Sequence, residues 1–329
     1  MQENYFKVSY SVADCEELKS KLIKRYPLPE PVTCRLFRCG VSDIYLVIAN
    51  QVLYYLRIMK TGVYNLTDYE EEANIMLELN ANGVNTAIPA QCIDGKYLWS
   101  INAPEGIRYA ILFTEAKNNP SGNNIKINFN LGQAVAKIHA IADEKNFKVS
   151  RVPIDFTQLI QKPLDLIKPY LNPDKYKFIC DALENLRKFI EEKLTTEKPY
   201  YGFCHGDIQL GNVFFEGEIP KFFDFDCMGY GWRSNEVAVH IWNQSHGNPQ
   251  FKEGDEYKAY IDGYNSIRQL NENEMDCINA FGAIRAIWVT GLNIKLLETE
   301  RGSIFINHVV ERLTENFKIW YEKVFPKAE

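Results

Sequence analysis

The stretch Cys204-His205-Gly206-Asp207-Ile208-Gln209-Leu210-Gly211-Asn212 decides which fold and which chemistry this sequence can support. Asp224 follows Asn212 by twelve residues, inside the segment Phe222-Phe223-Asp224-Phe225-Asp226. A predicted hairpin joins the two loops and brings a carboxylate, an amide and a second carboxylate together. Phosphoryl transfer needs a group that accepts the proton of an attacking hydroxyl, and hard oxygen ligands for magnesium on the phosphates. The pattern therefore predicts a phosphoryl-transfer site.

Composition and charge exclude several classes of protein. The chain has 329 residues and is 46% hydrophobic, which predicts a substantial core in one large domain or two lobes. Its 37 Lys and Arg residues against 43 Asp and Glu residues give a net charge of −6. This balance argues against nucleic acid as a partner, because binding of the phosphate backbone requires a basic face. No pattern in the sequence specifies an oligomeric state.

The eight cysteines are scattered, without a C-x-x-C pair or the spacing of zinc ligands, and so predict reduced thiols. Residues 1–5 lack the basic-then-apolar pattern of a signal peptide. The apolar run Tyr109–Phe113 is too short to span a bilayer. We therefore expect a cytoplasmic protein without a membrane partner.

The N-terminal third is rich in strand patterns. Ser11 is a predicted helix N-cap, and Thr67 is predicted to form a capping box with Glu70. The two helices are expected over 11–26 and from Thr67 to about Ala81. The predicted strands are Thr33–Arg38, Ile44–Ala49, Val52–Met59, Tyr97–Ile101 and Arg108–Thr114, with Asn50-Gln51 as a hairpin turn.

The chain beyond the turn-rich segment Lys117–Asn124 is predicted to be mostly helical. One β-hairpin, Asn212–Phe215 with Lys221–Phe225, interrupts the helices. A strand-rich part followed by a helical part predicts an α+β, bilobal fold with a small N-lobe over 1–115 and a larger C-lobe over 116–329. The expected helices are 128–142, 156–171, 173–194, 234–246, 253–270, 273–298 and 303–323.

The spacing from His205 through Asp207 to Asn212 fits the pattern H-x-D-x-x-x-x-N. A loop of this length lets the carboxylate face an acceptor hydroxyl while the amide oxygen reaches a metal ion. Asp224 leaves the core at a strand end, where a carboxylate can bind that metal. Each residue alone is also compatible with an ordinary turn, where Asp and Asn make local hydrogen bonds. The two motifs at this separation favour the catalytic interpretation.

On these residues the sequence resembles the aminoglycoside phosphotransferase and choline kinase superfamily. Within it, the loop ending at Asn212, with Asp224-Phe225-Asp226 and Gly229-Tyr230-Gly231-Trp232, is most similar to homoserine kinase type II-like and stress-response kinase-like phosphotransferases. The resemblance covers most of the chain. It implies a protein-kinase-like fold with ATP (or GTP) bound between the lobes, Mg²⁺, and a small-molecule hydroxyl as acceptor.

The resemblance also implies individual roles in the helical part. Asp207 would be the catalytic base, and His205 would hold the loop by hydrogen bonds. Asn212 and Asp224 would be the metal ligands. Asp226 would support the metal or meet the substrate, with a purely structural acid as the alternative.

In the strand-rich part the resemblance implies a basic residue paired with a glutamate. Arg57 and Glu72 stand at these positions and would hold the α- and β-phosphates, although an exposed cation and a solvated acidic run remain alternatives. Ser42 lies in the segment Cys39–Asp43, where the phosphate-covering loop belongs, but this segment has a single glycine. The hinge that reads adenine would be Thr114, Glu115 and Ala116.

Three more residues are candidates for support of substrate or metal. Glu236 stands where the family usually has Asp, and its extra methylene is expected to weaken support of the catalytic loop. Trp232 is one of several aromatics that, with the acids of 252–276, would suit a cationic acceptor; a solvated helix face over an aromatic core is the alternative. Arg285 is either a paired structural arginine or an anchor for an anionic substrate group.

Function is thus predicted as transfer of a phosphoryl group to a hydroxyl of an amino alcohol, a sugar or an aminoglycoside-like molecule. Three alternatives remain open from the sequence: a protein Ser/Thr kinase of the stress-response type, a drug-resistance phosphotransferase, and a catalytically weak nucleotide-binding protein. The last is favoured by Glu236 and by the single glycine of the Cys39–Asp43 loop.

Overall fold

The computed structural model describes residues 6–114, 124–247, 250–297 and 305–326. The chain divides into two compact units, Met1–Lys117 and Asn118–Glu329. The predicted hinge residues Glu115 and Ala116 lie outside the described residues. The prediction of an α+β fold, with strands first and helices after them, is confirmed.

The N-terminal unit is built on one antiparallel sheet of five strands with the order β1-β2-β3-β5-β4. The turn between β2 and β3 is Asn50-Gln51, as predicted, and both residues have positive φ, 45° and 69°. Two positive φ values in a two-residue loop give the turn whose twist matches that of the flanking strands. The strands are β1 (Val32–Arg38), β2 (Ser42–Ala49), β3 (Val52–Met59), β4 (Leu98–Ala103) and β5 (Gly106–Thr114).

The first helix, α1 (Cys15–Arg25), begins later than predicted, and Ser11 is not its N-cap. Asp14 is the N-cap, and its carboxylate accepts a hydrogen bond from the Glu17 backbone N–H at 2.9 Å. Ser11 instead donates both its backbone N–H and its hydroxyl to the Glu105 carboxylate. The prediction of Ser11 as N-cap failed because its hydroxyl, which could have capped the helix, bonds instead to Glu105, 94 residues further along the chain.

The second helix, α2 (Leu66–Ala81), begins with a capping box, but not the predicted one. Asn65 and Asp68 make the two reciprocal hydrogen bonds, at 3.1 and 2.9 Å. The assignment to Thr67 and Glu70 was therefore wrong by two residues. The sequence Asn65-Leu66-Thr67-Asp68 contains two possible starts, and both have the same chemistry.

The C-terminal unit is helical, and α3 and α7 pack closely within it. A methyl group on Gly132 of α3 would lie 2.0 Å from the Tyr260 carbonyl oxygen, so the crossing requires glycine. The helices are α3 (Ile125–Lys145), α4 (Lys162–Ile167), α5 (Pro173–Lys193), α6 (Arg233–Gly247), α7 (Asp255–Asn265), α8 (Glu272–Leu296) and α9 (Ile306–Val324).

Two short strand pairs interrupt these helices. The predicted hairpin is present as β7 (Val213–Glu216) and β8 (Ile219–Phe222). A second antiparallel pair, β6 (Tyr201–Cys204) and β9 (Gly229–Trp232), was not predicted. Its partners are far apart along the chain, so no local turn pattern marks the pairing.

Helix α8 is the core helix of this unit. Among the described residues it alone is long and apolar enough to cross a membrane, and 72% of its most apolar window is buried inside the protein. It packs against α4, α5, α6 and α9. A helix that is apolar all round is typical of a protein core.

Candidate active site

The predicted catalytic loop directly follows β6. His205-Gly206-Asp207 leaves the strand end, and a turn of 3₁₀-helix at Leu210–Asn212 leads into β7. Gly206 has φ = 84°, and a Cβ there would lie 2.1 Å from the Cys227 carbonyl oxygen. Only glycine combines this backbone conformation with so close an approach.

Asp207 is held from three sides. Its Oδ2 accepts hydrogen bonds from Gln209 Nε2 at 3.1 Å and from Asn212 Nδ2 at 2.8 Å. Its Oδ1 forms an ion pair with Arg285 of α8. These contacts fix the carboxylate in one orientation, as a group that must meet a substrate hydroxyl requires.

The Asn212 side chain is oriented by its nitrogen. Nδ2 donates to the backbone carbonyl of Asp207 at 3.0 Å as well as to the Asp207 carboxylate. Because both partners can only accept, the amide oxygen must point the other way. An oriented amide oxygen is a hard ligand of the kind that Mg²⁺ and Ca²⁺ prefer.

Asp224 lies two residues after β8 in the left-handed backbone region, with φ = 63° and ψ = 62°. This conformation is uncommon for a residue other than glycine and persists only where the surroundings enforce it. Arg151 contributes to that enforcement by donating to the carbonyls of Phe225 and Asp226 at 2.8 and 2.9 Å. Asp226 shares this turn, and its predicted role at the metal or substrate remains a prediction.

His205 is fully buried and makes hydrogen bonds to both the catalytic loop and the segment that contains Asp224. Its Nδ1 accepts the Asp207 backbone N–H at 3.3 Å, so its Nε2 carries the proton and donates to the Phe223 carbonyl at 3.1 Å. The ring also lies 4.2 Å from that of Phe225. The histidine thus joins the catalytic loop to the Asp224 segment.

Glu236 of α6 lies against the catalytic loop, and its predicted support of substrate or metal remains a prediction. It is fully buried, and its carboxylate accepts the backbone N–H groups of His205 and Gly206. Burial raises the pKa of this carboxyl to about 7, although the hydrogen bonds from the Gly206 and His205 backbone oppose the rise. The longer side chain reaches both N–H groups, and the expected weakening of loop support relative to aspartate stays a prediction.

Trp232 is a buried residue of the core, and its predicted support of the substrate remains a prediction. It is 4% exposed and packs against the rings of Phe156, Tyr201 and Phe281. This packing fits the alternative interpretation of an aromatic core, and one of the acids of 252–276 also has a structural partner. Asp276 pairs with Lys193 at 2.8 Å.

The N-terminal unit holds the predicted Arg57–Glu72 pair. Arg57 of β3 donates to the Glu72 carboxylate of α2 at 2.7 Å, and both side chains are buried. Ser42 is the first residue of β2, directly after the short β1–β2 connection. Thr114 ends β5, and its backbone N–H donates to the Ile88 carbonyl at 3.0 Å.

Sequence reasoning missed several contributors to this geometry, including Gln209 and Arg151. It also missed a buried cluster of His139, Cys204 and Glu236, whose potential ligand atoms lie within 4.8 Å of one another. Burial lowers the pKa of His139 and raises that of Cys204, so both are neutral. No spacing rule links these residues, because each comes from a different element.

The comparisons with known proteins show the family and the fold of the chain. Residues 33–270 match the model of a phosphotransferase enzyme family. An uncharacterized protein of Synechocystis sp. is 30% identical over 317 residues, which cover 94% of this chain and 86% of the relative.

Two solved structures show the same fold. An amicoumacin kinase in complex with AMP-PNP and Ca²⁺ has a TM-score of 0.75 at 19% identity, covering 93% of this chain and 94% of its own. A microcompartment-associated aminopropanol kinase has a TM-score of 0.74 at 16% identity, covering 94% and 96%. The predicted fold and superfamily are confirmed, and the chain belongs to the phosphotransferase enzyme family.

Proposed function

We propose that this protein transfers the γ-phosphoryl group of ATP, with Mg²⁺, to a hydroxyl of a small molecule. The observation that carries the proposal is the fixed pair of Asp207 and Asn212. One hydrogen bond between them orients a carboxylate for a hydroxyl and leaves an amide oxygen for a metal ion. Family membership and the nucleotide complex of the amicoumacin kinase support it.

In this mechanism Asp207 accepts a hydrogen bond from the acceptor hydroxyl and takes its proton as the hydroxyl oxygen bonds to the γ-phosphorus. The bond from that phosphorus to the bridging oxygen of ATP breaks at the same time, and ADP leaves. Asn212 and Asp224 would hold the divalent cation, which would supply positive charge to neutralise the phosphates. Glu236 and His205 keep the loop in place from behind. Most of the rate enhancement comes from positioning and charge neutralisation, because the protein forms no covalent bond to the phosphoryl group.

We further propose that the N-terminal unit binds the nucleotide, ATP or GTP. Arg57 would pair with the α- and β-phosphates, and Glu72 would keep its guanidinium in place. Ser42 lies at the start of β2, where a phosphate-covering turn would end, and Thr114, Glu115 and Ala116 would contact the base. We place the reaction in the cytoplasm, since all eight cysteines are free thiols.

The test is an ATP-consumption screen across amino alcohols, sugars, nucleosides and aminoglycosides. Asp207→Asn should lower kcat by about two to four orders of magnitude, the usual contribution of acid–base catalysis. Asp174→Asn, an exposed substitution in the first turn of α5, serves as the matched control and should leave kcat unchanged. An Asp207→Asn protein with normal turnover would exclude this residue as the base.

A further inference from the structure

We propose that Arg285 binds a carboxylate of the acceptor and that the substrate is a short hydroxy acid. This inference rests on the proposed function and narrows its acceptor class. None of the amino alcohol, sugar or aminoglycoside classes predicted from the sequence requires a carboxylate.

The first argument is the small number of contacts that Arg285 makes. Its side chain is 5% exposed, yet its single hydrogen bond among the described residues is that from Nη2 to the Asp207 carboxylate. The Nε atom of Arg285 is buried and has no hydrogen-bond partner among the residues that the structure describes. A guanidinium carries five N–H donors, and burying donors without acceptors is costly. A second acceptor next to Arg285 would satisfy them.

The second argument is that the guanidinium is already oriented. Its Cζ lies 4.3 Å from the ring centre of Trp288, which is one turn further along α8. Stacking on an aromatic ring fixes the plane of the guanidinium and leaves its edges available for hydrogen bonds. A fixed planar fork matches a carboxylate, which can accept two parallel N–H bonds.

The position of Arg285 limits the size of the acceptor. Arg285 contacts the same carboxylate, that of Asp207, that would receive the acceptor hydroxyl. The hydroxyl and the anionic group of the acceptor must therefore be separated by only a few bonds. A hydroxy acid with two to four carbons, with or without an amino group, has this geometry.

Charge excludes the opposite acceptor class at this position. An ammonium group next to the buried Arg285 would meet a like charge, which costs binding energy. Two of the acids of 252–276 already have cationic partners in the described part of the chain. Glu274 is paired with Arg268 at 2.6 Å, and Asp276 with Lys193 at 2.8 Å.

The test uses pairs of compounds that differ only by the carboxylate: L-serine with ethanolamine, L-threonine with 1-aminopropan-2-ol, and glycerate with ethylene glycol. Binding of each is measured by calorimetry to the full-length protein with Mg²⁺ and AMP-PNP. At least one acid should bind about 10²-fold more tightly than its partner, since the remaining N–H donors of the guanidinium would otherwise lack an acceptor. Equal binding in every pair, or tighter binding of the decarboxylated members, overturns the inference.

Variants of Arg285 separate recognition from a structural role. Arg285→Gln should reduce the ratio of acid to partner affinity to about one, and Arg285→Lys should give an intermediate ratio because it keeps the charge without the fork. The exposed Arg312→Gln on α9 is the control and should retain the wild-type ratio. If an Arg285 variant with an unchanged melting temperature weakens both members of a pair equally, Arg285 does not bind the carboxylate.

The two proposals fail in different ways. Phosphorylation of an amino alcohol with no preference for its acid overturns the inference and leaves the phosphotransferase proposal intact. Arg285-dependent binding of an acid without transfer of the ATP γ-phosphoryl to any hydroxyl compound contradicts the proposed function. Transfer to the preferred acid supports both.

Discussion

Replacement of Glu236 by glutamine should change the pH dependence of stability. The buried carboxyl has its pKa raised to about 7, whereas a glutamate in an unfolded chain titrates near 4.5. The folded protein therefore binds one proton more than the unfolded chain between these values. The contribution of the Glu236 carboxyl to the free energy of unfolding is fully present below about pH 4.5 and is lost as the pH rises through 7.

The magnitude follows from the two pKa values. A shift of one unit corresponds to about 1.4 kcal/mol, so the group should lower the free energy of unfolding by roughly 2.5 kcal/mol between pH 5 and pH 8. Glutamine cannot titrate, and this loss should be absent in Glu236→Gln. The variant also loses one hydrogen bond, because its amide nitrogen cannot accept from the loop N–H groups, which costs about 1–3 kcal/mol at every pH.

The free energy of unfolding is measured by urea titration at pH 5, 6, 7 and 8, with tryptophan fluorescence as the probe. Four of the five tryptophans lie in the C-terminal unit and report on Glu236: Trp232, Trp242, Trp288 and Trp320. Glu236→Gln should be less stable than wild type at pH 5, and the difference should close or reverse by pH 8. The exposed control Glu315→Gln should follow the wild-type profile. Parallel profiles of wild type and Glu236→Gln would refute the assignment of a raised pKa.

The remaining predictions concern the metal, the nucleotide and the catalytic loop. Asp224→Ala should abolish Mg²⁺-dependent activity, so a normal Mg²⁺ titration in the variant would remove this residue from the metal site. Arg57→Ala should destabilise the protein by about 3–5 kcal/mol, because it breaks a buried ion pair by removing one partner. In Arg57→Met with Glu72→Leu, stability should return while the KM for ATP stays raised; recovery of both would assign the pair a purely structural role. Gly206→Ala should lower kcat strongly through the clash with the Cys227 carbonyl, and unchanged kinetics would contradict the observed loop geometry.

Sequence patterns predicted secondary structure correctly where the contacts that determine it lie between residues close together in the chain. The Asn50-Gln51 hairpin and the β7–β8 hairpin were predicted, because two or three turn residues set the register of their strands. The helix N-caps at Asp14 and Asn65 were missed by two or three residues. Several residues in each segment have capping side chains, and contacts elsewhere in the fold decide which of them is used.

In the candidate site, too, some features are visible in the sequence and others depend on the tertiary structure. The spacing from His205 to Asn212, with Asp224 beyond it, is a property of the sequence, and it determined the family, the fold and the groups proposed for chemistry. The partners of these groups were decided by tertiary structure. Glu236 holds the loop from a separate helix, and Arg285 meets Asp207 from 78 residues away.

The physical reason is the range of each interaction. Hydrogen bonds within a loop such as that from His205 to Asn212 depend on residues a few positions apart, so their types and spacing are visible in the sequence. Desolvation of Glu236 and the pairing of Arg285 depend on which helices surround the loop once the core has packed. The sequence by itself therefore determined which groups the candidate site contains. Only the tertiary structure decided the pKa of Glu236 and the pairing of Arg285 with Asp207.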